Sequence, residues 1–391
     1  MARRRLPGFV AEYLDGGSED ELTLHNNRDA FTKHRFVHRV AVDVSKTSTA
    51  STLFGTPCGM PLAIGPTGFN GLFWKEGDIA LARAARANNI PFTISIVSND
   101  SMEAIAEKAG GRLWLMMTPI RDPAVRERMM ARAENIGCEA LVVTLDCAGR
   151  GNRTWHHRDF AEVPKSLSLR SKLDVLHHLR WLFSVFFPRG VVGFGNLAEF
   201  LPAKQRKALP GAKFLAVQGD ISVTWESLRA IRERWKRKLV LNGVLAVSDA
   251  EEAARLGVDG IVLSNHGGRQ LDCDAAPLDM LESVVAAVGQ RLEVMLDGGF
   301  RRGTDVVKAL ALGARAVLLG RATLYGLAAG GEAGAARALE ILRSEIVNTL
   351  SLLGRPSIDK LSPAVLFGRQ ETRAAAIDLE PGRLKLAARD A

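Results

Sequence analysis

EVMLDGGFRRGTDVVKALALGARAVLLG, residues 293–320, reads as one complete structural unit. EVMLD (293–297) is a short apolar run bounded by two glycines, and RAVLLG (315–320) is a second. Between them GTDVVKALALG spaces its apolar residues along one face of a helix. Two continuous apolar strands joined by an amphipathic helix form a crossover, so the strands are parallel and covered on both sides.

The same alternation extends upstream. Apolar runs occur at PLAIGP (61–66), PFTIS (91–95), RLWLMM (112–117), EALVVTL (139–145), KLVLN (238–242) and GIVLS (260–264). Helical patterns such as EGDIALARAARANN, PAVRERMMARAENIG and SVTWESLRAIRERW lie between them. Eight strand–helix units, with no GxGxxG after the first strand, suit a closed barrel better than an open doubly wound sheet. The expected fold is therefore α/β, a single (β/α)8 TIM barrel spanning 1–391. Its parts are an N-terminal helical segment (1–60), the barrel (61–145 and 208–325), an insertion or lid after strand four (146–207) and a C-terminal helical segment (326–391).

The composition bounds the function. The chain has 391 residues, of which 47% are hydrophobic and 24% charged, as in a globular protein with a large core. Four cysteines without a CxxC pair exclude a disulfide scaffold, and no structural metal is expected. No apolar stretch reaches the ~18 residues that span a bilayer, and MARRRLPGFVAEYL lacks a signal-peptide core, so a cytoplasmic location is expected. A net charge of +9 calls for an anionic partner. Nucleic acid is set aside because zinc-finger, RNP-like and long basic-helix patterns are missing. A membrane surface and acidic small molecules stay open.

Strands four and five are separated by roughly ninety residues, far more than a connection and its helix need. This stretch carries Arg170, Lys172, Arg180, Arg189, Lys204, Arg206 and Lys207 around the apolar cluster LRWLFSVFF (179–187). One reading is an active-site lid. The other is a segment, 166–206, that lies peripherally in the inner face of the cell membrane, since aromatic residues flanked by arginine suit an interfacial helix.

Chemistry concentrates at the C-terminal strand ends. SNHGGRQLD (264–272) puts a histidine and an arginine on a glycine turn after strand six. The imidazole titrates near neutral pH, and the guanidinium fork clamps a carboxylate. DGGFRRGTD (297–305) and LLGRAT (318–323) follow strands seven and eight, the usual phosphate site of this barrel. Their glycines admit an anion, a helix opening at Gly303 adds its dipole, and Arg301 and Arg321 add charge. On their own these features specify only a phosphorylated ligand.

Together the segments resemble the FMN-dependent α-hydroxy-acid-oxidising family over nearly the whole chain. The resemblance begins at LPGFVAEYLDGGSEDE (6–21) and continues through SNHGGRQLD, DGGFRRGTDVVKALALGA (297–314) and LLGRATLYGLAAGGE (318–332). Within the family, which includes flavin-type lactate dehydrogenases, IGPTGFNGLFWKEGDIALARAA (64–85) is most similar to mandelate dehydrogenases. The resemblance implies FMN as cofactor and oxidation of a small 2-hydroxy acid to the 2-oxo acid by transfer to flavin N5. It implies His266 as the base and Asp146 as its carboxylate partner. Tyr13, Arg153 and Arg269 correspond to the substrate-carboxylate site. Pro66, Thr67, Gly68, Ser95, Thr144, Ser264, Asp297, Gly299, Arg301, Gly320 and Arg321 correspond to the flavin site. A homo-tetramer is also implied.

Some positions depart from the family. Asn242 stands where a lysine usually neutralises the flavin N1–C2 edge. Met116 replaces a flavin-binding glutamine, and Thr118 replaces a substrate-contacting tyrosine, which enlarges the substrate pocket. Thr154 and the following WHHRD also depart. Gly68, where oxidases of the family tend to carry alanine, favours a dehydrogenase that passes electrons to a quinone or another carrier. Two alternatives remain at this point: a divergent biosynthetic oxidase acting on an unusual hydroxy or amino acid, and a flavin-binding protein with weak turnover.

Overall fold

A computed structural model describes residues 1–153, 169–187, 190, 193–202 and 214–369. Thr154 and its WHHRD neighbours, with Arg189, Lys204, Arg206 and Lys207, lie outside the described residues. So does the chain after residue 369.

The barrel closes with eight parallel strands. They are β3 (Leu62–Ile64), β4 (Phe92–Ser95), β5 (Leu113–Met117), β6 (Ala140–Thr144), β7 (Lys238–Val244), β8 (Gly260–Leu263), β9 (Glu293–Leu296) and β10 (Ala316–Leu319). Neighbours pair in chain order, and β10 returns to β3 with Val317 opposite Leu62. Each strand coincides with one of the apolar runs, because a strand covered on both faces has no polar positions to dilute its signal. In β7 the register shifts between Asn242 and Val244, so the strand runs two residues past its expected end.

Inward-facing residues form a small second core. Ala63, Trp114, Ala140, Val240, Met295 and Ala316 fill the lower barrel, with Met116, Val142, Val262 and Leu318 among them. An unexpected element closes the floor: a two-stranded hairpin, β1 (Ser51–Leu53) with β2 (Thr56–Cys58), brings Leu53 and Phe54 beneath Trp114. The N-terminal segment is therefore not purely helical. Its helices are α1 (Ala2–Arg5), α2 (Gly8–Asp15) and α3 (Leu22–Asp29).

Around the barrel run α4 (Gly77–Ala87), α5 (Met102–Lys108), α6 (Pro123–Asn135), then α7 (Leu169–His177) of the insertion, and α8 (Trp225–Arg234). The ring continues with α9 (Val247–Leu256), α10 (Pro277–Val288), α11 (Gly303–Ala311) and α12 (Arg321–Leu352). Local caps start several of them: Ser101 accepts from the Ala104 amide, and Asp122 accepts from Ala124 with Pro123 at the first helical position. α12 joins two helical stretches across Gly330 and Gly331, whose backbone angles leave the helical region a few residues past 326, where the C-terminal helical segment was expected to begin.

Candidate active site

The loop after β8 turns through three successive left-handed residues, His266, Gly267 and Gly268, with φ of 58°, 63° and 75°. A side chain at 268 would lie 2.6 Å from the Leu24 amide, so glycine is required where α3 crosses the loop. The strained conformation of His266 is held by its own amide, which donates to Ser264 Oγ at 3.0 Å. Below it, the paired amides of Asn27 and Asn265 bind each other at 2.8 Å. Asp272 accepts from the Asp20, Leu22 and Thr23 amides at the start of α3.

This geometry sets the His266 ring against the end of β6. Nδ1 lies 3.3 Å from both carboxylate oxygens of Asp146. Cys147 Sγ lies 3.9 Å from the same nitrogen. Enclosure of the ring by itself would lower the His266 pKa. Hydrogen bonds to Asp146 and Cys147, with the Asp146 charge, outweigh that and push it up to about 10.

Gln270 locks the β6 loop in place and was missed as a site residue, although it sits inside SNHGGRQLD. Its Nε2 donates to the carbonyls of Asp146 (2.9 Å) and Gly149 (3.0 Å), while Oε1 accepts from the Gly151 amide (3.2 Å) and from Arg153 Nη2 (3.4 Å). Arg153 Nε donates to the Arg269 carbonyl at 3.2 Å, which brings the two arginines together as expected. Arg269 lies 5.0 Å over the Tyr13 ring and donates to the Tyr13 and Gly16 carbonyls. Tyr13 in turn donates from its hydroxyl to the Gly68 carbonyl at 3.3 Å. Burial is the main cause that lowers Arg153 and Arg269 to about 10.

The mouth of the barrel carries the other expected residues. Ser95, Met116, Thr144, Asn242 and Ser264 are buried at their strand ends. Asn242 Nδ2 donates to Thr144 Oγ1 at 3.1 Å, leaving its buried Oδ1 without a donor. Asp297 Oδ1 is likewise buried and unsatisfied. Burial pushes the Asp297 carboxyl up to about 6, although Ser264 and the His266 charge pull the other way. Thr118, just beyond β5, is partly exposed, as are Pro66, Thr67 and Gly68 after β3.

One expectation for the anion end is corrected. The α11 start at Gly303 is already capped: Asp305 accepts from the Arg301 and Arg302 amides at 2.9 and 3.0 Å, and Glu345 accepts from Gly303 at 2.7 Å. Its dipole is thus satisfied internally. Arg321 also braces the fold: its Nε, Nη1 and Nη2 donate to the carbonyls of Leu14, Gly267 and Gly16, each within 2.9 Å, which uses three of its five N–H groups. The Gly299 position is dictated by packing, because a Cβ there would lie 2.1 Å from the Asn27 carbonyl. The start of α12 at Gly320–Arg321 lies next to Thr67, and the Arg301 guanidinium lies 5.7 Å over Tyr325.

The insertion is seated on this rim. Trp181 Nε1 donates to the Leu72 carbonyl at 2.6 Å, and its ring meets Phe9 edge to face. Asp174 accepts from the Gly8 amide, and Arg5 donates to Ser184. On its other side Leu169, Leu176, Leu179, Phe183 and Phe187 are all more than half exposed. No helix of the described residues is long and apolar enough to cross a membrane.

The family described as FMN-dependent dehydrogenase matches residues 2–367. The (S)-mandelate dehydrogenase of Pseudomonas putida is 43% identical over 378 residues, covering 97% of this chain and 94% of that protein. An L-lactate dehydrogenase of Caulobacter is 37% identical, with 93% and 96% covered. The crystal structure of the monotopic membrane protein (S)-mandelate dehydrogenase superposes with a TM-score of 0.90 at 43% identity, covering 93% of this chain and 96% of that one.

Proposed function

The chain belongs to the FMN-dependent dehydrogenase family and oxidises an α-hydroxy acid with FMN as cofactor; from that premise we propose that its substrate is an aromatic, mandelate-like acid. The observation that carries the proposal is one continuous rim, in which the His266–Asp146 pair adjoins Arg153, Arg269 and Tyr13. The two guanidinium groups and the tyrosine hold the substrate carboxylate. His266 accepts the proton released from the hydroxy acid, and Asp146 stabilises the imidazolium that forms. Threonine at 118 leaves room for an aromatic side chain.

FMN fits what the mouth leaves unsatisfied. Its ring and ribityl chain bring N–H and O–H donors for the buried acceptors Asn242 Oδ1 and Asp297 Oδ1. The start of α12 at Gly320, with Arg321 and Arg301, suits its phosphate, with Gly299 beside them. Pro66, Thr67, Gly68, Ser95, Met116, Thr144 and Ser264 line the remaining faces. The bound cofactor supplies the acceptor for the electron pair leaving the α-carbon.

We further propose that the chain associates peripherally with a membrane through the insertion, passes electrons to a quinone and assembles as a homo-tetramer. The exposed leucines and phenylalanines beside Arg170, Lys172 and Arg180 support the membrane contact, as does the (S)-mandelate dehydrogenase structure described as monotopic. Anaerobic flavin bleaching with a panel of 2-hydroxy acids tests the substrate. Aromatic acids are expected to bleach at least tenfold faster than lactate, and the reverse order would overturn the aromatic assignment. Flotation with anionic vesicles tests the membrane contact, which should weaken with salt and with the insertion shortened.

A further inference from the structure

We propose that Asp146, Cys147 and His266 form an inhibitory site for a borderline-soft divalent cation, Zn2+ above all. These residues present one oxygen, one sulfur and one nitrogen donor, all within 4.8 Å of one another. The edges of the triangle are 3.5 Å (Sγ to Asp146 Oδ1), 3.9 Å (Sγ to Nδ1) and 3.3 Å (Nδ1 to Oδ1). A tetrahedral zinc with bonds of about 2.3 Å to sulfur and about 2.0 Å to nitrogen and oxygen sets donors about 3.5 Å apart on its sulfur edges and about 3.3 Å apart on the remaining edge. The side chains thus need to shift by only a few tenths of an ångström. The mixed donor set also selects the metal, since Mg2+ and Ca2+ prefer oxygen alone.

Cys147 makes the difference. Cys58 and Cys138 are buried and Cys273 is exposed, whereas Cys147 is partly accessible beside the His266 ring. Binding displaces the thiol proton and, below the His266 pKa, the Nδ1 proton, both of which pass to solvent, and takes the Nδ1 lone pair so released. The ring's one proton then resides on Nε2. An imidazole with a metal on one nitrogen and a proton on the other has no lone pair left to accept the substrate proton. Asp146 is drawn to the cation and no longer supports the imidazolium.

The inhibitory half rests on the proposed role of His266 as base, and the experiment separates the two. The flavin-loaded enzyme, stripped of metal, is titrated with ZnCl2 in competition with a chromogenic chelator, and anaerobic bleaching by a 2-hydroxy acid is followed in parallel. The expected result is one zinc per chain and bleaching slowed at least tenfold, restored by EDTA and not produced by MgCl2. Cys147→Ala should weaken both zinc affinity and inhibition at least tenfold, measured against that variant's own metal-free rate, while Cys273→Ala should alter neither. Absence of stoichiometric binding, or equal affinity in Cys147→Ala, overturns the site. Stoichiometric binding that requires Cys147 but leaves bleaching unchanged overturns the inhibitory half, and the metal-free bleaching rate of His266→Ala then decides separately whether His266 is the base.

Discussion

Adjacent strand ends of this barrel are built to opposite plans. At β6 and β8 the polar groups are joined: His266 to Asp146, Asp146 and Arg153 to Gln270, and Arg153 to the Arg269 carbonyl. At β5 and β7, which alternate with them around the mouth, the side chains are Met116 and Asn242, and the Asn242 acceptor has no donor. The first pair of strand ends is organised before any ligand arrives, which suits the proton and carboxylate handling proposed for it. The second leaves a buried acceptor for the proposed flavin site to satisfy.

The contrast predicts its own order of sensitivity. His266→Ala should retain bound flavin, since the anion end is untouched, yet slow substrate-driven bleaching by about 10³- to 10⁴-fold, the upper range for a positioned general base. Fast bleaching in that variant would remove His266 from the proton-handling side.

Asp146→Asn should cost less, about 10- to 100-fold, the loss of a charge-assisted hydrogen bond worth roughly 1.5–3 kcal/mol. It should also move the pH profile. The active base is the neutral imidazole, so kcat/KM rises as pH climbs toward the His266 pKa, which Asp146 helps to push up to about 10. Without the carboxylate, burial dominates and the pKa falls. The acidic limb therefore shifts to lower pH even as the plateau drops. A plateau loss without that shift would make Asp146 merely structural.

Asn242→Lys probes the other side and should have the smallest effect on rate. Negative charge develops at the flavin edge as electrons arrive, and a lysine would stabilise it where asparagine offers a neutral amide. A gain of about 1–2 kcal/mol corresponds to a rise of roughly 20–40 mV in the two-electron potential. A redox titration of both proteins reads it directly. An unchanged potential would mean that position 242 does not face that edge, and the contrast between the two pairs of strand ends would weaken.

The barrel was legible in the sequence because doubly covered strands write an undiluted apolar signal, and each of the eight runs became a strand. The pairing of His266 with Asp146 was legible through family resemblance, since their 120-residue separation leaves no local trace. The β1–β2 hairpin escaped because three-residue strands carry too few positions for a period to show.

The remaining features were settled by tertiary structure, for one recurring physical reason: a polar group's role depends on which partners reach it first. The α11 amides looked available for phosphate until Glu345, 42 residues on, was found capping Gly303. Arg321 is tied by three of its five N–H groups to carbonyls of Leu14, Gly16 and Gly267, a bracing that its place in LLGRAT does not show. Cys147 carried no signal of its own in the chain, and the fold placed it against a histidine 119 residues away. Residue types and strand periodicity are written locally, whereas hydrogen-bond satisfaction is decided by what folding brings within 3 Å.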